Sequence, residues 1–366
     1  MGELKANALR NCTFIGSITL SHGLIEIGEE TFYGCRNLKT VVIPETVTKI
    51  DPWAFAGSGL KSIILPHGIT EIGNSVFCGC RNLENVIIPD SVTKIGPSAF
   101  ENSGLKSITL LDGRLTEIGE YAFYNCVNLE NVVIPETVTK IGPEAFAWSG
   151  LKSIILPDAL TEIGENAFCY CRNLETAVIP DSVTEIGPEV FAESGLKSIT
   201  LPDGLTEIGE GAFYNCGNLE TVVIPKTVTK IGSYVFKCSG LKSIILPDGL
   251  TKIGECIFYD CRNLETVVIP ENVTKIAPLA FAWSGLKSIT LLDGRLTEIG
   301  EKAFYRCSNL ETVVIPNSIT KIGRSAFECS GLKSITLLDG RLTEIGENAF
   351  NGCSILVIAP NIIYNN

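Results

Sequence analysis

The chain has 366 residues, of which 45% are hydrophobic, and its formal net charge is -12. Because an acidic surface repels phosphate, we expect no nucleic-acid partner. No apolar run approaches the roughly 18 residues of a membrane-spanning helix, so we expect no membrane insertion. No signal peptide is visible at the start of this chain, which has no apolar segment in residues 1–12.

The regular spacing of the phenylalanines shows that the chain is built from internal repeats. Two kinds of unit alternate, one like residues 243–265 (SIILPDGLTKIGECIFYDCRNLE) and one like residues 266–287 (TVVIPENVTKIAPLAFAWSGLK). Units this short bury a core only by stacking on their neighbours, so we expect one continuous solenoid. The phenylalanines of one repeat position recur every 22 to 24 residues: Phe32, Phe55, Phe77, Phe100, Phe123, Phe146, Phe168, Phe191, Phe213, Phe236, Phe258, Phe281, Phe304, Phe327 and Phe350.

The period also predicts the domain organisation. Residues 1–16 form a partial N-terminal repeat or cap, because Ala8, Leu9 and Cys12 match the second half of a unit. Residues 17–357 hold fifteen repeats in a single solenoid, and residues 358–366 form a C-terminal tail.

The sequence of each repeat unit predicts three structural elements, in the following order. A β-branched run such as TVVI at 266–269 predicts a strand, which the following proline ends because it lacks the N–H for a ladder hydrogen bond. A segment such as LTKIG at 250–254 predicts a turn of the coil rather than a strand, with glycine at a tight bend. A segment such as ENAFCYC at 165–171 predicts a short helical or 3-10 turn whose Ala and Phe point inward.

These residues resemble a known family. The spacing of Leu264, Val267, Ile269, Pro270 and Val273 is similar to the leucine-rich repeat, with proline in place of asparagine. The fuller phrase I-P-x-x-V-T-x-I-G-x-x-A-F-x-x-C-x-x-L resembles the BspA-type (Treponema pallidum-type) leucine-rich repeats. The resemblance implies an α/β solenoid: a right-handed coil with a parallel β-sheet on the concave face and short helical or 3-10 turns on the convex side. It also implies a protein of the cell surface or extracellular space that adheres to host proteins or other cells.

The cysteines are candidates for a metal site or a disulfide framework, or for a stack of small buried residues. From Cys35 onward the members of the main column lie two coils apart, about 9.6 Å, beyond the roughly 7 Å that a disulfide spans. Cys12 and Cys35 lie one coil apart, so a bridge between them stays open. We favour buried thiols, and we expect no metal and no cofactor, since the only histidines, His22 and His67, lie elsewhere on the coil. This column holds nine of the 14 cysteines: Cys12, Cys35, Cys80, Cys126, Cys171, Cys216, Cys261, Cys307 and Cys353.

Two outward columns carry alternating charge. Lys152, Glu175 and Lys197 belong to the first, which we interpret as a device that sets register and keeps the stack soluble. The second alternates less regularly. It contains an acidic run at Glu162, Glu185 and Glu207 and a basic run at Lys230, Lys252 and Lys275. These interruptions of the Lys/Glu alternation mark either a surface that a partner contacts or random sequence drift.

A further outward column of β-branched residues is the candidate partner-binding site. An exposed apolar stripe on the concave wall is typical of a protein-binding surface, although β-branched residues also favour strands for their own sake. Trp148 and Trp283 cover the core on the turn side or anchor a partner. The candidate binding residues are Val133, Ile155, Val178, Thr200, Val223, Ile245 and Val268.

No enzyme is predicted. With two histidines there is no convincing Ser-His-Asp set, and the glycines are explained by the repeat. We expect a monomeric, non-enzymatic module that binds a protein partner through the concave face, as a surface adhesin by resemblance. The alternative is a structural spacer without a specific site. A remote alternative is ice binding, suggested by the threonine column at Thr70, Thr93 and Thr116.

Overall fold

A computed structural model describes residues 2–338, 341–353 and, for the backbone alone, 357–358. It divides into two compact units, Met1–Val183 and Thr184–Asn366, each built from stacked coils. Every regular element among the described residues is a β-strand, so the predicted α/β class and the predicted helical or 3-10 turns are wrong. None of these residues therefore belongs to a helix long and apolar enough to cross a bilayer. The predicted C-terminal tail lies, beyond Ile358, outside the described residues.

Most coils contribute one strand to a long row, where the β-branched run of the sequence predicts it, and the coils of Val133, Val223 and Ile245 join the row through isolated bridges. Neighbouring strands run parallel with equivalent residues paired, as in Ser62 with Asn85 and Asn85 with Ser107. In the first unit the row contains Ser17–Thr19, Thr40–Val42, Ser62–Ile64, Asn85–Ile88, Ser107–Leu110, Ser153–Ile155 and Thr176–Val178. In the second unit it contains Ser198–Thr200, Thr266–Ile269, Ser288–Leu291, Thr312–Ile315, Ser334–Leu337 and Val357–Ile358.

A second, short row of strands occupies the position where the sequence predicts only a turn. That prediction is wrong because most Lys-Ile and Glu-Ile pairs form parallel β-pairing in register with the next coil, as in Lys140 with Glu162. The first unit contains Gly2–Leu4, Leu24–Ile27, Lys49–Ile50, Glu71–Ile72, Lys94–Ile95, Glu117–Ile118, Lys140–Ile141 and Glu162–Ile163. The second contains Glu185–Ile186, Glu207–Ile208, Lys230–Ile231, Lys252–Ile253, Lys275–Ile276, Glu298–Ile299, Lys321–Ile322 and Glu344–Ile345.

The segments that carry phenylalanine, here called the turn segments, are chains of consecutive turns. Phe55 donates its N–H to the carbonyl of Val76 in the next coil at 3.0 Å, whereas Ala56 donates to Trp53, three residues before it, at 3.0 Å. An α-helix needs consecutive N–H groups to reach carbonyls four residues earlier, and a 3-10 helix three residues earlier. Because every second N–H bonds to the next coil instead, neither helix forms. Trp53 and Gly57 adopt left-handed φ angles of 61° and 65°, which turn alternate N–H groups toward the neighbouring coil.

The phenylalanine side chains form the centre of each unit. Those from Phe32 to Phe327 are buried, as the sequence predicts. Successive rings stack nearly parallel, with centroids 5.1 to 5.6 Å apart in the first unit and 4.9 to 5.8 Å apart in the second. Offset stacks of this kind contribute beyond their apolar area. The repeat period therefore follows from the need to place one ring on the next.

Most glycines after the short strands, such as Gly142, allow close approach between coils rather than a special φ angle, although Asp51 and Ala277 occupy the same repeat position in two coils. A Cβ atom added to Gly142 would lie 2.5 Å from the backbone nitrogen of Glu120 in the preceding coil. No side chain fits at that distance unless the coils separate. The predicted tight bend is thus better described as a tight contact.

We expect Phe258→Ala to lower the free energy of unfolding by about 3–5 kcal/mol, because it removes a fully buried ring from the middle of a stack. Phe14→Ala is the matched control, since Phe14 lies outside the column and is 85% exposed. Urea unfolding followed by circular dichroism measures both. Equal effects of the two substitutions would contradict a core built on the ring stack.

Candidate functional site

The candidate site lies on the outward side of the long strand row, which we call the strand face. Successive residues of a strand point to opposite sides. Val267 and Ile269 are therefore buried in the core, while Val268 between them is 52% exposed. The same alternation in each coil produces a column of outward β-branched side chains.

In the first unit this column includes Val133, Ile155 and Val178. The backbone bridges pair Val133 with Ile155 and Ile155 with Val178, so the three side chains are direct neighbours. They are 76%, 74% and 56% exposed. The first unit thus presents a stripe of aliphatic groups that no residue of its own covers.

In the second unit the column includes Thr200, Val223, Ile245 and Val268. Val223 pairs with Ile245, and these are the most exposed aliphatic side chains of that unit's column, at 82% and 86%. Thr200 is also exposed. The exposure of all seven candidate residues is confirmed, whereas their role in partner binding stays a prediction.

The first charged column is separated from the apolar stripe by an exposed Ser, Thr or Asn column, such as Ser153 and Thr176, and its charges are largely paired. Within the described residues of each unit, lysine Nζ atoms lie 2.5 to 3.0 Å from the glutamate of the preceding coil, in the pairs Lys106–Glu84, Lys152–Glu130, Lys242–Glu220, Lys287–Glu265 and Lys333–Glu311. Exposed pairs of this kind contribute about 0–1 kcal/mol each. The column therefore gives the strand face a neutral, hydrated border rather than a strong field.

The second charged column contains the breaks seen in the sequence. The short strands place Glu185 opposite Glu207 and Lys252 opposite Lys275. Lys230 relieves the first of these contacts, because its Nζ lies 2.5 Å from Glu207. Among the described strands, Lys230–Ile231 is not paired with Lys252–Ile253, and a cavity of about 480 Å³ is lined by these two coils and the coil of Glu207. The break is thus a local opening of the short row between two lysines.

The column cysteines are free thiols that bond between coils. The Sγ of Cys261 lies 2.9 Å from the carbonyl of Phe236, one coil earlier, and 3.4 Å from Oγ of Ser239. Cys12 and Cys35 are also free. Among the described residues, no group of three or more His, Cys, Asp or Glu is placed to hold a metal. The interpretation of this column as buried packing residues agrees with these contacts.

Burial also lowers the reactivity of these thiols. It raises the pKa of Cys80, Cys126, Cys216, Cys261 and Cys307 to about 12, and that of Cys171 to about 11, although a serine hydrogen bond opposes the shift in each case. A thiolate is the reactive form of cysteine. These six side chains are therefore poor candidates for chemistry.

The threonine column that suggests ice binding has its hydroxyl groups engaged. Thr93 Oγ1 donates to the carbonyl of Thr70 at 3.1 Å, and Thr116 Oγ1 donates to that of Thr93 at 3.2 Å. The second unit repeats this contact, for example from Thr297 to Thr274 at 3.2 Å. Because the donor hydrogens serve the stack itself, these contacts do not favour an ice-binding surface.

Clusters of aromatic and cationic side chains on the turn segments are not predicted by the sequence. Lys237 Nζ lies 5.3 to 5.5 Å from the ring centroids of Tyr214, Tyr234 and Tyr259. The guanidinium of Arg306 lies 4.5 Å from the indole centroid of Trp283. Lys237 meets Tyr214 and Tyr259 across 23 and 22 residues of sequence, and Arg306 meets Trp283 across 23, so only the repeat period could have indicated these contacts.

Comparison with known proteins gives one family and several similar structures. A family model described as BspA type leucine rich repeat region matches in six copies over residues 2–126, 116–239 and 229–357. A leucine-rich repeat protein from Bacteroides ovatus is 32% identical, with a TM-score of 0.69, over 80% of this chain and 84% of that chain. A leucine rich cell surface protein from Faecalibacterium prausnitzii is 29% identical, with a TM-score of 0.55, over 81% and 86%.

A leucine-rich repeat protein from Eubacterium ventriosum is also 29% identical, with a TM-score of 0.53, over 75% of this chain and 83% of that chain. No curated protein sequence matches the chain.

We expect the stability of the second unit to fall as pH rises from about 9 to about 12. The unfolded chain loses thiol protons near the ordinary pKa of 9.0, whereas burial holds the pKa of Cys216, Cys261 and Cys307 at about 12. Above pH 9 the unfolded state therefore binds fewer protons, which favours unfolding.

Thermal melting at several pH values, in reducing buffer, measures this effect. The triple variant Cys216→Ser, Cys261→Ser, Cys307→Ser should lose less of its melting temperature above pH 9, because serine does not titrate. Cys329→Ser is the control, since Cys329 is exposed. An unchanged alkaline slope in the triple variant would show that the buried thiols do not set it.

Proposed function

Because the chain belongs to the BspA type leucine rich repeat family, we propose that it is a non-enzymatic module that binds a protein partner through its strand face. The family is one of repeat proteins that generally mediate protein interactions. The observation that carries the proposal is the exposed aliphatic column. It is present in each unit, and its side chains do not pack in the core.

The column is suited to contact with a protein. Val223 and Ile245 of the second unit are 82% and 86% exposed and pair directly. Burying aliphatic surface stabilises a complex by about 25 cal/mol per Å² before the costs of association. The neighbouring Lys/Glu pairs, such as Lys242 with Glu220 at 2.6 Å, supply a polar rim. A partner would thus meet an apolar centre with a neutral border.

We further propose that the module acts at the cell surface or outside the cell, as an adhesin. The F. prausnitzii protein of similar fold is described as a cell surface protein, and this supports the location. The resemblance to surface repeat proteins supports the adhesive role.

The test begins with capture of partners from a proteome on the immobilised chain, followed by affinity measurement on the captured protein. In the second unit we expect the double variant Val223→Glu, Ile245→Glu to weaken binding by at least about tenfold, because it places charge in the apolar contact. In the first unit the matching variant is Val133→Glu, Ile155→Glu.

Two controls keep the result specific. Asn215→Glu adds one negative charge on a turn segment, against two in the double variant, at a position where Glu193 is the equivalent residue of the preceding coil. Ile245→Thr tests tolerance, because Thr200 and Thr290 stand in the same column. Circular dichroism confirms that each variant is folded. If both double variants bind as tightly as the parent chain, the strand-face proposal is wrong.

A structural spacer is the alternative, and a deletion separates the two. Removing residues 243–287 takes out one pair of coils and joins Lys242 to Ser288, which preserves the local sequence Lys-Ser of the junction. A spacer should tolerate the deletion with a proportional change in reach. A specific strand-face site that includes Ile245 should instead lose its affinity.

A further inference from the structure

The turn segments of the second unit contain an open cavity of about 540 Å³. Four successive coils line it, with Arg262 from the first, Trp283 from the second, Arg306, Ser308 and Asn309 from the third, and Cys329 from the fourth. This volume lies within the roughly 300–1,000 Å³ of small-molecule sites. Apart from Trp283, Gly285 and Cys329, the lining consists of polar and cationic residues, in a chain with a net charge of -12.

Arg306 is held in place without being neutralised. Its guanidinium carbon lies 4.5 Å from the indole centroid of Trp283, and its Nε donates to the hydroxyl of Tyr305 at 3.1 Å. Among the described residues no carboxylate forms an ion pair with it. A guanidinium stacked on an aromatic ring keeps its outer N–H groups available, and their fork matches a carboxylate.

The second guanidinium contributes hydrogen-bond donors more than charge. Arg262 Nε donates to Asp260 Oδ1 at 2.7 Å, and Nη2 lies 3.3 Å from Oδ2. Asp260 therefore neutralises Arg262 and fixes its orientation, and the Nη1 group stays free. The lining carries one unpaired positive charge, so it favours a ligand with a single negative charge.

The remaining groups match a hydroxylated ring. Trp283 is 39% exposed, and aromatic rings in carbohydrate sites pack against the apolar C–H face of a sugar. Asn309 Nδ2 points to the carbonyl of Gly285 at 3.5 Å, which leaves its Oδ1 as an acceptor. Ser308 adds a hydroxyl group. Donors and acceptors thus surround an aromatic surface beside one cation.

We propose that this cavity binds a sugar acid, with its carboxylate on Arg306, its ring against Trp283 and its hydroxyl groups on Asn309, Ser308 and Arg262. The site is on the turn segments and is independent of the strand face, so it adds a carbohydrate ligand to the proposed function.

The first unit provides a natural comparison. Trp148 is the equivalent of Trp283, but the residue equivalent to Arg306 is Tyr170, whose ring stacks on the indole at a centroid distance of 4.0 Å. Arg172 lies 5.7 Å from both rings. Trp148 is as exposed as Trp283, at 40% against 39%, but an aromatic ring stacks on its indole where Trp283 has a guanidinium, so it serves as the matched control.

The test measures binding of D-glucuronate to the full chain by saturation-transfer NMR and calorimetry, with D-glucose and acetate as probes that each lack half of the ligand. We expect glucuronate to bind with a dissociation constant of about 1 mM, and glucose and acetate to bind at least about tenfold more weakly. Arg306→Asn and Trp283→Asn should each weaken glucuronate binding by at least about tenfold.

Asparagine is chosen because it tolerates the left-handed backbone of these positions, and because Asn102 and Asn215 already occupy equivalent positions with φ of 55° and 53°. Trp148→Asn should leave binding unchanged. The proposal is overturned if glucuronate shows no binding up to about 20 mM, if acetate binds as well as glucuronate, or if Trp148→Asn weakens binding as much as Trp283→Asn. Strand-face variants should bind glucuronate normally, which separates this site from the proposed protein-binding function.

Discussion

Hydrogen bonding between the backbones of successive coils is the constraint on which the rest of this structure depends. It operates in the long strand row, in the short strand row and, through alternate N–H groups, in the turn segments. In the last of these, Phe55 donates to Val76 in the next coil while Ala56 donates within its own coil. Because a buried backbone group without a partner is costly, each coil must copy the path of the coil before it.

This copying explains why equivalent side chains form columns, and why two kinds of coil alternate. Stacked phenylalanines suit one another, since offset aromatic rings attract. Stacked lysines would repel one another. Alternation places a glutamate beside each lysine instead, as in the pair Lys152–Glu130 at 2.6 Å. In the buried interior, the same alternation places the thiol of Cys261 beside the hydroxyl of Ser239 in the adjacent coil. A period of two coils is thus favoured wherever like side chains would repel or crowd one another.

Positions that the stacking does not constrain are where function is free to reside. On the strand face, Val223 and Ile245 could be any residue that tolerates a strand, yet both are aliphatic and exposed. On the turn segments, the position of Trp283 is filled elsewhere by Gly57, Asn102 or Glu193. The proposed partner surface and the proposed sugar-acid cavity both use such unconstrained positions, on different sides of the coil. Their independence allows one chain to bind two kinds of ligand.

The repeat, the long strand row, the buried phenylalanines and the outward column of Val178 and Val268 were predictable before the fold was known, because each follows from a regular spacing of residues along the chain. The strand at Lys140-Ile141 and the absence of helices in the described turn segments were not predictable, since both depend on hydrogen bonds to another coil rather than on local preference. The tertiary structure also decided which side chains meet across coils. Arg306 lies on Trp283 although 23 residues separate them, and such contacts exist only once the coils are stacked.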